Sequence, residues 1–259
     1  MLISTLEIAV CRWTTELIGH NSQTLDNYFN KDRLCLECSS PPSVGLQTLI
    51  WLQEWIQVDS SSGLWWLRGP PGMSRDVDNQ TTQISAKLVE LAALADVHMI
   101  SYFCPRVSPG GTGSMQALTS LLYALLRQII ILVPLQLHLA NNIDFSERRF
   151  QQLDGTAERW IPAISILRDL MALIPQTEKT YCILDGFNWV DKVENRELVE
   201  ELLKIFQEAR LNVLFATTGR SECLVRTIKG KRNLDIQFVP GGQVDLGQSG
   251  RGIWGARKT

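Results

Sequence analysis

Three short segments of this chain carry residues that could do chemistry. In the first, Leu64-Trp65-Trp66-Leu67 runs into Gly69-Pro70-Pro71-Gly72 and then Ser74-Arg75-Asp76. An apolar strand that ends in a glycine-rich turn is how a phosphate-binding loop begins, with its backbone N–H groups turned toward an anion. A working loop continues Gly-Lys-Ser or Gly-Lys-Thr, and those positions hold Ser74, Arg75 and Asp76. In the second segment, Tyr181-Cys182-Ile183-Leu184 ends in Asp185, a carboxylate at the tip of an apolar run. In the third, Val213-Leu214-Phe215-Ala216 ends in Thr217-Thr218-Gly219-Arg220. In a parallel sheet these three strand ends emerge on one edge, where ligands of open α/β sheets bind.

The elements that must position these ends can be read from apolar spacing. Helical periodicity predicts helices over Ser43–Val58, Thr81–Ala95, Met115–Val133, Ala157–Ile174 and Glu194–Arg210. Apolar runs bounded by turn residues predict strands over Leu64–Arg68, Val97–Phe103, Thr180–Asp185, Asn212–Thr218 and Leu234–Val239. Strands alternating with helices predict an α/β fold: a mostly parallel five-stranded sheet with helices on both faces, like that of P-loop NTPases. The domain occupies 43–240, after a helical or irregular extension over 1–42. Residues 241–259, rich in Gly with few apolar anchors, read as a disordered tail. Trp51, Trp55, Trp65 and Trp66 are expected to pack between the first helix and the sheet.

Composition narrows the function classes. The chain has 259 residues, 45% of them hydrophobic, enough for one large α/β domain. Its net charge of −2 and pI near 6.0 offer no general attraction to nucleic acid or to an acidic membrane, so neither is expected as a partner. The N-terminal residues carry Glu7 and no basic leader, so no signal peptide is expected. The apolar stretch from Ala117 to Ala140 is interrupted by Arg127, Gln128, Pro134, Gln136 and His138, which suits a core helix better than a bilayer span. Cys35-x-x-Cys38 is the one tight pair among six cysteines, and with no second pair nearby a zinc site is not expected. Dispersed thiols suit a reducing compartment, and a cytoplasmic location is expected.

In order along the chain, the motifs resemble the NACHT-type P-loop domain of fungal STAND NTPases, the class found in heterokaryon-incompatibility proteins. LWWLRGPPGMSRD resembles their Walker A segment, ISYFCPR (Ile100 to Arg106) the strand after it, and ALTSLLYALLRQI (Ala117 to Ile129) the next helix. YCILDGFNWVDK resembles their Walker B segment and FATTGRSE (Phe215 to Glu222) their sensor strand. The resemblance spans roughly residues 43 to 228. It implies ATP and Mg²⁺ as ligands. Gly69, Pro70, Pro71, Gly72, Ser74, Arg75, Asp76 and Arg220 would surround the nucleotide, and Asp185 would serve the metal.

The departures from that pattern define the functional expectation. Arg75 stands for the Lys and Asp76 for the magnesium hydroxyl. A carboxylate about 4 Å from phosphate charge costs on the order of 4 kcal/mol at a surface-like dielectric. Asn188 stands for the second acid and Trp189 for the water-activating Glu, so no general base remains there. The reading is a degenerate signalling or scaffold module of STAND type, a pseudoenzyme with weak or lost nucleotide binding that acts through other proteins. The alternative is an ATP-binding STAND ATPase with an altered P-loop.

Overall fold

The computed structural model describes residues 13–37, 42–57, 63–71, 79–107, 113–133, 136–137, 143–174, 179–209, 211–236 and 243–246. Of the sites read from sequence, Gly72, Ser74, Arg75 and Asp76 lie outside these residues.

In chain order the strands are β1 (Trp13–Thr14), β2 (Ser43–Gly45), β3 (Gly63–Gly69), β4 (Met99–Phe103), β5 (Gln136–Leu137), β6 (Thr180–Asp185), β7 (Leu211–Thr218), β8 (Asn233–Asp235) and β9 (Gln243–Asp245). The helices are α1 (Thr15–Asn21), α2 (Leu46–Gln57), α3 (Gln80–Leu94), α4 (Gly113–Leu132), α5 (Glu147–Phe150), α6 (Trp160–Met171), α7 (Arg196–Glu208) and α8 (Glu222–Thr227). Five strands form one sheet in the order β4-β6-β7-β3-β8, every pairing parallel. Their burial explains the run-like sequences: Thr180–Asp185 is buried at every position and Leu211–Thr218 at all but the last. A strand covered on both faces has no polar side to show.

Alternate residues of these strands feed two cores. Leu64, Trp66, Ile100, Tyr102, Cys182, Leu184, Val213 and Phe215 pack on one face with α4, α6 and α7. Trp65, Leu67, Tyr181, Ile183 and Leu214 pack on the other with α2 and α3. The central helix α4 is apolar and long enough to span a bilayer, but most of it is buried here as the core of the first face. Helix α3 links β3 to β4 along one face, while α4, α6 and α7 run along the other. The connections leaving the C-terminal ends of β3 and of its neighbours therefore part to opposite faces, and a crevice opens at that point.

Three details depart from the sequence reading. Trp51 and Trp65 meet edge-to-face at 5.1 Å, and Trp55 meets Tyr181 at 5.4 Å, as expected for packing under α2. Trp66 instead faces the opposite core, because adjacent strand residues point to opposite sides. Ser43–Gly45 extends rather than opening α2, and pairs antiparallel with Gln243–Asp245. Residues 243–246 are thus not part of a disordered tail: Leu246 is fully buried in the second core beside Val44. The N-terminal segment is likewise built in, with Ile18 and Leu25 buried in the first core and Arg127 of α4 bonded to Asp26 at 2.9 Å.

Candidate functional site

The site is built from the C-terminal ends of β3, β6 and β7. Register places Gly69 opposite Thr218, and Asp185 opposite Ala216 on the other side of β7. The Gly219 N–H donates to the Gly69 carbonyl at 2.9 Å, and Pro71 lies against Gly219. Trp66 Nε1 donates to Thr217 Oγ1 at 2.8 Å, and Thr217 Oγ1 donates to the Gly219 carbonyl at 2.8 Å. Gly69, Pro71 and the Thr217–Gly219 turn are thus one bonded unit. Gly69 suits this spot for a packing reason: a Cβ there would come within 2.8 Å of Thr81 Cγ2, so a side chain would have to displace Thr81.

Helix α3 brings the decisive side chain. Its N-cap is Asn79, whose Oδ1 accepts from the Thr81 N–H at 3.0 Å and the Thr81 hydroxyl at 2.9 Å. One residue further, Thr82 Oγ1 donates to Asp185 Oδ2 at 2.7 Å. Ser85 Oγ, a turn later, donates to Asp185 Oδ1 at 3.3 Å. Asp185 is 5% exposed, so its charge is held by these hydroxyls rather than by bulk water.

A hydroxyl in the first turn of the helix after a glycine-rich loop, bonded to the carboxylate ending a nearby strand of the sheet, here the next but one, is the arrangement that holds Mg²⁺ in P-loop proteins. Thr82 is therefore a candidate for such a hydroxyl beside Asp76, which lies outside the described residues, and sequence reasoning passed it over. The reason is spacing. In G-x-x-x-x-G-K-[ST] the hydroxyl falls seven residues after the first glycine, which from Gly69 points to Asp76. In the structure it falls thirteen residues on, because α3 begins only at Gln80. Helical spacing back from Ile84 reaches Gln80 or Thr81 and not Thr82, so the apolar stripe alone does not mark it.

The fit to a nucleotide can be tested group by group. Thr82 and Asp185 supply one hydroxyl and one carboxylate, the protein's usual share for a magnesium ion whose other ligands are phosphates and water. Among the described residues no group of three His, Cys, Asp or Glu side chains could hold a metal alone. The position before Thr82, where the loop Lys would stand, is Thr81, fully buried and bonded to Asn79. The first turn of α3 brings no cation.

Asn188 and Asp191, in the segment after β6, brace the neighbouring chain. The Thr218 N–H donates to Asn188 Oδ1 at 3.2 Å, pinning the β6 turn to the end of β7. Asp191 Oδ2 accepts from Ser221 Oγ at 2.5 Å and from the Cys223 N–H at 2.9 Å, so it anchors the start of α8. Trp189 lies beside Gly186, itself in the left-handed region at φ 69°. Arg220, read as a sensor, pairs with Glu222 at 2.8 Å with its side chain 63% exposed. Its backbone neighbour Gly219 touches the loop, and its guanidinium faces solvent. Two cavities, of about 390 and 230 Å³, lie elsewhere: neither is lined by Gly69, Asp185 or Arg220.

The model of a family described as Nephrocystin 3, N-terminal matches residues 48–220, about two thirds of the chain, including the C-terminal ends of β3, β6 and β7. No curated protein matches the sequence.

Proposed function

The chain belongs to the nephrocystin 3 N-terminal family, and from that premise we propose a NACHT-like scaffold module that binds Mg²⁺-nucleotide weakly and does not hydrolyse it efficiently. Its output is contact with other proteins. The single observation that carries this reading is the buried Thr82–Asp185 pair at 2.7 Å. A hydroxyl and a carboxylate kept together and dry at the loop-facing edge of a parallel sheet suit a metal-bound phosphate better than any purely structural task. The kinship to STAND NTPases of the fungal type is part of the same proposal and rests on the ordered motifs from Gly69 to Glu222.

Three features support weak binding without turnover. Thr81 provides no charge at the Lys position. Asn188 and Asp191 are committed to bracing strand ends. Trp189 cannot accept a proton from water. With nucleotide bound, Mg²⁺ would neutralise phosphate charge, Thr82 and Asp185 would orient it, and the Gly69–Pro71 backbone would approach the phosphates. The altered ATPase reading needs a base at this edge, and no described side chain there is free to act as one.

Titration calorimetry of the full chain with Mg²⁺ and ATP tests the proposal. Wild type should bind in the range of tens of micromolar to millimolar, on the order of 4–6 kcal/mol. Thr82→Val should weaken binding by about tenfold or more, and phosphate release should stay near background in both. Binding indifferent to Thr82→Val in a folded protein would remove the metal reading.

A further inference from the structure

The larger cavity, of about 390 Å³, opens at the other end of the sheet from the site above. Strand β3 joins the two: it runs from Gly63 at the cavity to Gly69 at the loop, about 20 Å at roughly 3.3 Å per residue. The apolar part of the lining is Leu64, Phe206 and Ile228, and its charge is of one sign, from Lys229 and Arg232. The other described lining residues, Gly63, Gln207 and Thr227, carry no charge. Among the described residues neither cation makes a hydrogen bond or an ion pair. Nearby acids are turned elsewhere: Asp235 to Arg68, Glu200 to Arg226, and Glu208 to the lining of the second cavity. Arg232 is positioned by the strand. Its guanidinium carbon stands 5.9 Å from the Trp65 ring centroid, and its Nη1 lies 3.6 Å from where a Cβ of Gly63 would sit. The same Cβ would come within 2.9 Å of Trp65 Nε1, a buried donor with no acceptor. The side-chain groups gathered at this end are thus donors in need of an acceptor.

We propose that this cavity binds a small organic anion, its apolar body against Leu64, Phe206 and Ile228 and its anionic head between Lys229 and Arg232. The volume lies within the range of small-molecule sites, about 300–1,000 Å³, and an apolar lining with a few charged groups is their usual make-up. Two cations facing one cavity repel each other, and an anion between them turns that repulsion into two attractions. Arg232 is half-buried against the indole, so its guanidinium gives up less rotamer freedom on binding than a free side chain would. Its planar edge suits a carboxylate, sulfonate or phosphate. The opposing field is small: α7 ends at Glu208 and turns its last carbonyls this way, a dipole worth roughly half a charge against two full ones. This site is independent of the nucleotide reading, since it shares no residue with the loop-facing edge.

Fluorescence titration of the full chain with anilinonaphthalene sulfonate tests the proposal, beside phenylnaphthylamine, which has the same aromatic body without the anion. Wild type should bind the sulfonate saturably, on the order of tens of micromolar. Arg232→Ala should weaken it by about tenfold and the more exposed Lys229→Ala by about threefold, while Arg232→Glu should abolish it. Phenylnaphthylamine should bind all variants alike, and Thr82→Val should bind the sulfonate like wild type. Naphthoate or naphthyl phosphate should displace the sulfonate, and the stronger competitor identifies the headgroup. Both cations reach solvent, so circular dichroism melts of the variants should match wild type. Binding of the sulfonate that survives Arg232→Glu, fails to saturate, or yields to neither competitor overturns the site. So does a loss shared equally by phenylnaphthylamine, which marks a structural effect, or one produced by Thr82→Val, which places the probe at the nucleotide edge.

Discussion

Thr82→Val isolates the bond on which the site depends. Valine keeps the shape of threonine, so no cavity opens, and the two have similar helix propensities. What is lost is the hydroxyl donating to Asp185 at 2.7 Å. Hydrogen bonds to charged groups are worth about 1.5–3 kcal/mol, and Asp185 is too buried for water to replace the donor freely. The expected cost is about 2 kcal/mol, or roughly 4–8 °C in Tm for a chain of this size. Ser85→Ala offers an internal comparison. Its bond is longer, 3.3 Å, and alanine regains about 0.5 kcal/mol of helix propensity, so the net cost should stay below about 0.5 kcal/mol. Urea denaturation followed by circular dichroism reads both, and a double-mutant cycle with Asp185→Asn separates the pair from its surroundings. Coupling of about 1 kcal/mol or more is expected. The reasoning is refuted if Thr82→Val costs no more than Ser85→Ala, or costs the same in the Asp185→Asn background.

Other perturbations probe the surrounding frame. Gly186→Ala should destabilise by about 1–2 kcal/mol or more, since φ there is 69° and a Cβ would come within 2.9 Å of the Cys104 carbonyl; a neutral result in thermal melts would contradict that geometry. Among the four described cysteines, thiol labelling of the native chain at pH 8 should modify Cys35 first. Burial pushes the Cys104 and Cys182 thiols up, and burial with the Asp191 carboxylate pushes Cys223 up to about 12. Peptide mapping that finds any of those three labelled as fast as Cys35 would count against the packing. At Asp26, burial raises the carboxyl pKa, but the Lys31 hydrogen bond and the Arg127 charge outweigh it and hold the group below its ordinary range. Its contribution is therefore complete above about pH 4 and lost as pH falls through the lower folded value. Asp26→Asn should cost up to about 1 kcal/mol at pH 7, with the gap closing in acid denaturation below pH 4.

The sequence exposed the sheet well and the site only in part. Runs such as Tyr181–Leu184 and Val213–Ala216 are apolar because both their faces are covered, and that signal survives without any partner in view. The order β4-β6-β7-β3-β8 leaves no such trace, since pairing depends on contacts far apart in the chain. Asp185 could be found because a strand-end carboxylate is local. Thr82 could not be found by loop arithmetic, which assumes a fixed distance from glycine to helix. The ladder of Ser43–Gly45 with Gln243–Asp245 was hidden for another reason: three-residue strands in Gly-rich surroundings show no periodicity. The pairing of Trp189 with Arg106 and Lys192 joins two loops that only the fold brings together.

The pattern of loss at this edge argues for retained purpose. Were the site merely decaying, its polar groups should have drifted toward apolar replacements, because an unsatisfied buried carboxylate is costly. Instead Asp185 remains and keeps two hydroxyl donors. Two of the positions that depart from the resembled pattern, Asn188 and Trp189, are its acids, and the Lys position departs as well. Asn188 pins Thr218, and the Trp189 ring contacts Arg106 and Lys192. Binding and hydrolysis place opposite demands on position 189, since the acid that activates water also repels phosphate. On the function proposed above, a Trp at this position resolves that conflict toward binding. Trp189→Glu exposes the trade: polyphosphate affinity should fall about tenfold with little gain in turnover, because Thr81 still leaves the Lys position without charge.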